Sequence, residues 1–214
     1  MERNETTELI YVADPMCSWC YGFGPQLASV KETSDLPVRV VMGGLYVGDR
    51  AQPATPALRE YLESTWARVQ AQTGQEFRFD RAEALVRGEW VYDTAPSAQA
   101  VIHVRDDDPD EALPYLSAVQ RAFYFDGLDV TKWEVLDSIA RERGLHSISS
   151  IDSLLRPSSL EADMAEAEVL GAAGYPKLII ATTQPDGDVE HIPIATGFNR
   201  ASDIRRKLAV LLPS

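Results

Sequence analysis

The sequence lacks any long uninterrupted run of apolar residues. A helix that crosses a bilayer needs about 18 or more of them in succession, and no stretch approaches this length. The first eight residues, MERNETTE, are polar and contain no apolar segment of the kind that a secretory signal peptide carries. The sequence therefore predicts a cytoplasmic protein with no membrane partner.

Positive charge is also scarce. Twenty lysines and arginines stand against 33 aspartates and glutamates, which gives a formal net charge of −13. A chain with this charge repels a polyphosphate backbone, so we expect no nucleic-acid partner. In other respects the composition is ordinary, because 45% of the residues are apolar and 25% are charged. A chain of 214 residues suffices for one compact unit with a substantial core.

Histidine and cysteine, the usual ligands of structural zinc, are few. The three histidines, His103, His146 and His191, are scattered without a paired spacing, and there are only two cysteines. A structural zinc site requires four ligands. The sequence therefore predicts no metal site.

The two cysteines, Cys17 and Cys20, are separated by two residues. Two cysteines placed at random would have this spacing in roughly one chain in a hundred. A stable structural disulfide is rare in a reducing cytosol. A redox-active C-x-x-C pair is therefore the favoured interpretation.

Local patterns place this pair inside a β-α-β unit. Residues 9–13 (LIYVA) form a predicted buried strand, and residues 17–32 form a predicted helix that Pro25 is expected to bend. Residues 37–42 (PVRVVM) form the second predicted strand. Two strands connected in this way are expected to be parallel, with a right-handed crossover.

The next hundred residues carry only helical patterns. Thr55 before Pro56 is typical of a helix start. Thr131 with Glu134 matches a capping box. Further helices are predicted over residues 93–105 and 109–125. This middle section is predicted to be all-α.

Strand patterns return toward the C-terminus. Ser158 with Glu161 matches a second capping box ahead of a helix. Residues 177–182 and 189–194 flank a Pro-Asp-Gly turn, which predicts an antiparallel hairpin. Residues 201–212 have the periodicity of a final helix.

The predicted element order is β-α-β, a helical block, and then α-β-β-α. With the block removed, this is the order of a thioredoxin fold. We therefore predict an α/β protein in which a thioredoxin-like domain, residues 1–50 and 157–214, is interrupted by an all-helical insert domain, residues 51–156.

The predicted position of the cysteine pair suits thiol–disulfide exchange. N–H groups in the first turn of a helix have no partner within the helix, so they can stabilise a thiolate. The helix dipole alone contributes about 0.3–1 kcal/mol, so specific N–H bonds to sulfur must add to it. Cys17 at this end is the predicted nucleophile. Cys20, one turn further on, is the predicted resolving thiol, and we expect it to be the more buried of the two.

The segment DPMCSWCYGF, residues 14–23, resembles the active site of the DsbA family of thiol-disulfide oxidoreductases. The nearest match is the FrnE-like branch of that family. Residues 42–45 (MGGL), 92–96 (YDTAP) and 123–136 are also similar to that branch. The resemblance implies a thioredoxin fold interrupted by a helical insert, and a redox-active Cys17–Cys20 disulfide that needs no cofactor.

The resemblance also implies further site residues. Tyr175-Pro176 stands where the family has its cis-proline loop, which packs against the active-site disulfide. Such a loop would present the backbone of Tyr175 to an extended substrate chain. Ser18 and Trp19, between the cysteines, complete the expected substrate-binding loop.

Two positions depart from the family pattern. Lys177 stands where a threonine is usual, and a lysine there either stabilises the Cys17 thiolate or, as the favoured interpretation, points to solvent. Thioredoxin-like proteins often carry a buried acid under the disulfide, but the predicted first strand has none. Asp14 is the nearest candidate to tune the thiols, and a turn or N-cap role is the alternative.

Three functions are compatible with these residues. The first is a dithiol-disulfide oxidoreductase that acts on protein or peptide substrates, with glutathione as a candidate co-substrate. The second is a glutathione-dependent isomerase or transferase of the same superfamily, whose members usually lack the second cysteine. The third is a non-enzymatic binding module. Cys20 favours the first, but Ser18-Trp19 does not fix its direction, because the potentials of such pairs span about −270 to −120 mV.

Overall fold

The computed structural model describes residues 6–81, 90–154 and 158–212. Its centre is a four-stranded sheet with the order β2-β1-β5-β6. The strands are β1 (Thr6–Ala13), β2 (Val38–Met42), β5 (Lys177–Thr183) and β6 (Val189–Thr196). Strands β1 and β2 are parallel, and the other two neighbouring pairs are antiparallel. The predicted β-α-β unit and C-terminal hairpin are therefore confirmed.

Three helices cover the two faces of this sheet. They are α1 (Ser18–Lys31), α7 (Leu160–Val169) and α8 (Ala201–Leu211). Successive side chains of a strand point to opposite faces. Leu9 and Tyr11 accordingly share a core with α1 and α8, whereas Ile10 and Val12 pack with Ala167 of α7. Helix α1 continues through Pro25 without ending there.

The segment between β2 and α7 is mostly helical. Among its described residues are the helices α2 (Pro56–Thr73), α3 (Ala95–Asp107), α4 (Pro109–Arg121), α5 (Trp133–Glu142) and α6 (Ser150–Leu154). It also contains two short strands, β3 (Gln52–Pro53) and β4 (Val91–Tyr92), which pair antiparallel. The prediction of an all-α insert is wrong on this point, since two-residue strands are too short to show an alternating pattern. None of the helices in the described part of the chain has the length and apolar character needed to cross a membrane.

Aromatic side chains join the insert to the thioredoxin-like part. The Tyr21 ring in α1 stacks on Tyr124 at a centroid distance of 5.0 Å and meets Phe77 edge-on at 5.0 Å. Trp66 of α2 contacts Tyr124 at 5.1 Å. Rings of this size bury large apolar areas, so one core continues from the sheet into the insert. The predicted division between residues 50 and 51 stays a prediction, and the division between 156 and 157 lies outside the described residues.

Of three predicted helix N-caps, the structure confirms one and contradicts two. The Thr55 hydroxyl accepts from the Leu58 N–H at 3.1 Å, as expected for an N-cap. Thr131 caps nothing, because α5 begins one residue later, with Lys132 at its N-cap position and no side-chain cap. The Thr131 hydroxyl instead donates to the Asp129 carboxylate at 2.6 Å. The cap of α7 is Ser159 instead of Ser158, and it accepts from the Ala162 N–H.

The helix predicted over residues 93–105 runs from 95 to 107. The helix predicted over 109–125 ends at 121 and passes into one π-helical turn, Ala122–Asp126. This turn spans only five residues. It is therefore too short for its different period to be distinguished from α-helical spacing in the sequence.

Candidate active site

Cys17 occupies the N-cap of α1, immediately before its first turn. Its backbone is extended, with φ −88° and ψ 113°, and no side chain caps the first N–H groups of the helix. Those N–H groups therefore remain available to a thiolate. The Cys17 thiol donates to the carbonyl oxygen of Tyr175 at an Sγ–O distance of 3.7 Å. Its exposed fraction is 6%, so the sulfur is shielded but borders the surface.

Cys20 lies one turn further along α1 and is completely buried. Both cysteines are free thiols. Burial raises the pKa of the Cys20 thiol well above its usual value, and its hydrogen bond and charge interaction with Cys17 raise it further. The two thiols therefore differ as predicted, since one borders the surface at a helix N-terminus and the other is sealed in the core.

Asp14 is a buried carboxylate directly after β1. Its Oδ1 accepts from the Met16 N–H at 2.9 Å, and its Oδ2 accepts from the Leu45 N–H at 2.7 Å. Burial raises the pKa of Asp14 to about 6, although these two hydrogen bonds act in the opposite direction. Asp14 therefore has the predicted turn role, and it also ties the active-site loop to the segment after β2.

The raised pKa of Asp14 predicts a particular dependence of stability on pH. Between about pH 4 and pH 6 the folded protein keeps a proton that the unfolded chain has already released, so stability falls as the pH rises through this window. A shift from 3.8 to about 6 corresponds to about 3 kcal/mol. We expect the free energy of urea unfolding, wild type minus Asp14→Asn, to fall by about 2 kcal/mol from pH 4 to pH 7, because an unfolded aspartate is already partly ionised at pH 4.

The other carboxyl groups are common to both proteins, so their titration cancels in this difference. The Asp80 and Asp137 carboxyls, whose pKa values are lowered by hydrogen bonds from Arg78 and Ser147, are among them. A difference that stays constant from pH 4 to pH 7 would contradict the prediction.

The Tyr175–Pro176 peptide bond is cis. The Tyr175 hydroxyl donates to the Gly43 carbonyl at 2.6 Å, and the Pro176 carbonyl accepts from the Gly197 N–H at 2.8 Å. The Tyr175 ring lies so close to Gly43 that a Cβ there would come within 2.1 Å of it. Glycine is therefore required at position 43 for this loop to dock, a role that the sequence pattern did not reveal.

Ser18 and Trp19 start the helix between the two cysteines. Ser18 is buried and Trp19 is half-buried. The Arg68 guanidinium of α2 lies 5.9 Å from the centre of the Trp19 ring, within the range of a cation–π interaction. Tyr21, which follows Cys20, is buried and donates its hydroxyl to the Glu76 carbonyl. Trp19 therefore borders the site, and Tyr21 belongs to the core.

Lys177 does not point to solvent, so the favoured prediction is wrong. Its exposed fraction is 8%, and its Nζ donates to the carbonyl oxygens of Leu170 and Gly171 at 2.8 and 2.7 Å. These carbonyls follow directly on α7, where a positive charge is favoured by the helix dipole. Lys177 therefore caps the C-terminal end of α7. These hydrogen bonds direct its ammonium group to that helix and not to Cys17.

The sequence prediction missed the insert residues that contact the active-site loop. The Tyr92 hydroxyl donates to the Met16 carbonyl, and the Gln120 Nε2 donates to the Asp14 carbonyl at 3.5 Å. The YDTAP segment contains Tyr92, but the resemblance assigned it no role. No group of three or more His, Cys, Asp or Glu side chains within residues 6–81, 90–154 and 158–212 is placed to hold a metal ion.

The chain matches known proteins through their solved structures. No protein-family model matches the chain, and no curated protein matches it. Solved structures do match. A protein from Nitrosomonas europaea, assigned provisionally as a protein disulfide isomerase, is 28% identical, with a TM-score of 0.81 over 96% of this chain and 97% of its own.

The cytosolic disulfide reductase DsbM from Pseudomonas aeruginosa is 29% identical, with a TM-score of 0.75 over 95% of this chain and 98% of its own. DsbM has also been solved with glutathione. The oxidoreductase DsbA from Xylella fastidiosa shares the fold at 14% identity, with a TM-score of 0.54 over 96% of this chain and 84% of its own. The chain therefore shares the fold of DsbA, and the predicted thioredoxin fold with a helical insert is confirmed.

Proposed function

We propose that the protein is a dithiol-disulfide oxidoreductase in which Cys17 is the nucleophile and Cys20 is the resolving thiol. The observation that carries this proposal is the asymmetry of the pair. Cys17 borders the surface at the uncapped start of α1, and Cys20 is buried one turn below it. This arrangement serves a reaction that begins with an external disulfide and ends with an internal one.

The reaction has two exchange steps. The Cys17 thiolate attacks one sulfur of the substrate disulfide, which forms a mixed disulfide and releases the other substrate sulfur as a thiolate that takes up a proton. Cys20 then loses its proton and attacks the Cys17 sulfur, which forms the Cys17–Cys20 disulfide and releases the second substrate thiol. Two electrons pass from the cysteine pair to the substrate.

The raised pKa of Cys20 determines the order of the two exchange steps. Part of the rise comes from the hydrogen bond and the charge of Cys17. When Cys17 enters the mixed disulfide it no longer has an ionisable thiol, so this part of the rise in the Cys20 pKa disappears. Cys20 therefore becomes a better nucleophile only after the substrate is attached.

Glutathione is the co-substrate that we propose for the return to the dithiol. Two glutathione molecules reduce the Cys17–Cys20 disulfide and leave as glutathione disulfide, so the electrons balance. DsbM, which is similar over nearly the whole chain, is a cytosolic disulfide reductase that has been solved with glutathione. This likeness supports a reducing direction and a cytoplasmic location. The FrnE-like type of oxidoreductase rests on the sequence resemblance alone. Cys20 argues against a glutathione transferase.

Protein or peptide disulfides are the proposed substrates. The Tyr175 backbone lies against the Cys17 sulfur, and an extended chain can pair with such a backbone by β-type hydrogen bonds. Trp19 lies two residues from Cys17 and Tyr175 supplies the carbonyl that accepts from its thiol, and both side chains are half-buried. Their exposed apolar surface is available to residues that flank a substrate cysteine.

Equilibration with glutathione buffers tests the proposal. We expect one transition between dithiol and internal disulfide, with a tenfold change in the ratio for about every 30 mV, as a two-electron couple requires. Acid quenching, alkylation and mass spectrometry measure the two forms. The dithiol form is also expected to accelerate insulin reduction by dithiothreitol.

Two results would contradict this proposal in different ways. A stable adduct with one glutathione, in place of the internal disulfide, would favour the transferase. If the protein neither formed the internal disulfide nor accelerated insulin reduction, the non-enzymatic binding module would be the remaining function.

A further inference from the structure

A hydrogen bond links the helical insert to the peptide unit that precedes the proposed nucleophile. The Tyr92 hydroxyl donates to the Met16 carbonyl. The same peptide unit ends in the Cys17 N–H, which donates to the Asp14 carbonyl at 3.1 Å. A peptide unit is planar and nearly rigid. Hydrogen bonds at both of its ends therefore fix its orientation.

Tyr92 is itself held on several sides. It is 2% exposed, and its ring meets Tyr46 edge-on at 4.7 Å and Trp90 edge-on at 5.2 Å. Its backbone pairs with Gln52 in the β3–β4 ribbon. A ring fixed in this way presents its hydroxyl at a constant position, so the insert acts as a rigid support for the loop before Cys17.

The orientation of this peptide unit matters for the chemistry of Cys17. It determines the backbone direction at the helix N-cap, and so the position of the sulfur relative to the free N–H groups of α1. The hydroxyl also satisfies a buried carbonyl oxygen one residue from the thiolate. Without it, the negative end of that carbonyl would be unpaired beside a developing negative charge.

We propose that Tyr92 is a positioning residue, which holds the Met16–Cys17 peptide unit through its hydroxyl and so maintains Cys17 in its reactive geometry. The inference rests on the proposed function, because it takes Cys17 to be the nucleophile. It assigns the insert a part in the active site, in addition to its part in the core.

Alkylation kinetics of Cys17 test the inference, in a Cys20→Ser background that leaves one cysteine. The rate with iodoacetamide is measured as a function of pH for the parent and for Tyr92→Phe. Tyr115→Phe is the matched control, because Tyr115 is equally buried in the insert and donates its hydroxyl to the Leu136 carbonyl at 2.9 Å. Both variants lose one hydroxyl-to-carbonyl bond, but only one of these bonds touches the active-site loop.

Several titratable groups act electrostatically on Cys17, and they do not confuse the comparison. They are the Cys20 thiol, which the background removes, and the hydroxyls of Tyr11, Tyr46, Tyr92, Tyr124 and Tyr175. Burial raises the pKa of each of these tyrosines, so they stay neutral through the assay. Asp14, with a pKa of about 6, is present in every protein compared.

We expect Tyr92→Phe to alkylate up to about tenfold more slowly at pH 7, which equals about 1.4 kcal/mol, with the midpoint of its pH profile moved upward. Tyr115→Phe should keep the parent's pH profile of alkylation. Both variants should lose a similar amount of free energy of unfolding, measured in urea. A Tyr92→Phe profile equal to that of Tyr115→Phe overturns the inference alone. A parent Cys17 that reacts no faster than a cysteine in an unstructured peptide overturns the proposed function and this inference with it.

Discussion

Serine in place of Cys17 is expected to lower the rate of disulfide exchange by about a thousandfold or more, close to the uncatalysed rate. The first step forms a bond between the Cys17 sulfur and a substrate sulfur, and a serine hydroxyl does not attack disulfides at neutral pH. The fold should be retained, because serine has the shape of cysteine and is slightly smaller, so it fits the same buried position. Insulin reduction by dithiothreitol measures the loss.

The companion variant Cys20→Ser is expected to fail at a different step. The Cys17 thiolate still attacks, but no second thiol one turn away resolves the product. A mixed disulfide with the substrate should therefore accumulate and be visible by mass spectrometry without reductant. A Cys17→Ser protein that still forms this adduct, or a Cys20→Ser protein that turns over at the wild-type rate, would reverse or remove the assigned roles.

The fold could be predicted from sequence where local signals determine it. The strand before Asp14, the Thr55 cap and the hairpin around Pro185-Asp186-Gly187 each depend on neighbouring residues, and each is found in the structure. Thr131 failed because its N–H and its hydroxyl both donate to the Asp129 carboxylate, and the helix begins one residue further on, after Lys132. A capping pattern describes what a hydroxyl can do, whereas the residue at which the helix begins decides whether it does so.

The site could be predicted only in part. The two cysteines and Tyr175-Pro176 were found because spacing and resemblance identify them. The roles of Lys177 and Tyr92 depend on contacts between segments far apart in the chain, with the end of α7 in one case and the loop before α1 in the other. No pattern within either segment contains that information, so these roles required the structure.

The Arg105–Asp163 ion pair is expected to have the largest effect on stability outside the active site. Asp163 of α7 is 4% exposed, and it accepts from Arg105 Nη1 and Nη2 of α3 at 2.7 and 2.9 Å. The same carboxylate accepts from the Met42 N–H at 2.7 Å, and Nη1 also donates to the Val40 carbonyl at 2.7 Å. One buried pair therefore fastens the insert, β2 and α7 together.

Removal of one partner leaves the other charge buried without compensation. For Arg105→Met we expect a loss of about 3–5 kcal/mol in the free energy of unfolding, or about 10 °C in melting temperature for a chain of this size. The double variant Arg105→Met/Asp163→Leu should recover part of this loss, because both charges are gone. It should not recover all of it, because the Met42 N–H then lacks its acceptor.

The exposed pair Arg206–Asp203 provides the control, since its side chains are 75% and 46% exposed. Arg206→Met should cost less than about 1 kcal/mol, because water screens and solvates both charges. Urea unfolding measures all three variants at pH 7. If Arg105→Met cost no more than Arg206→Met, the pair would not fasten the insert to the sheet, and the shared aromatic core around Tyr21, Trp66 and Tyr124 would have to hold the two parts together alone.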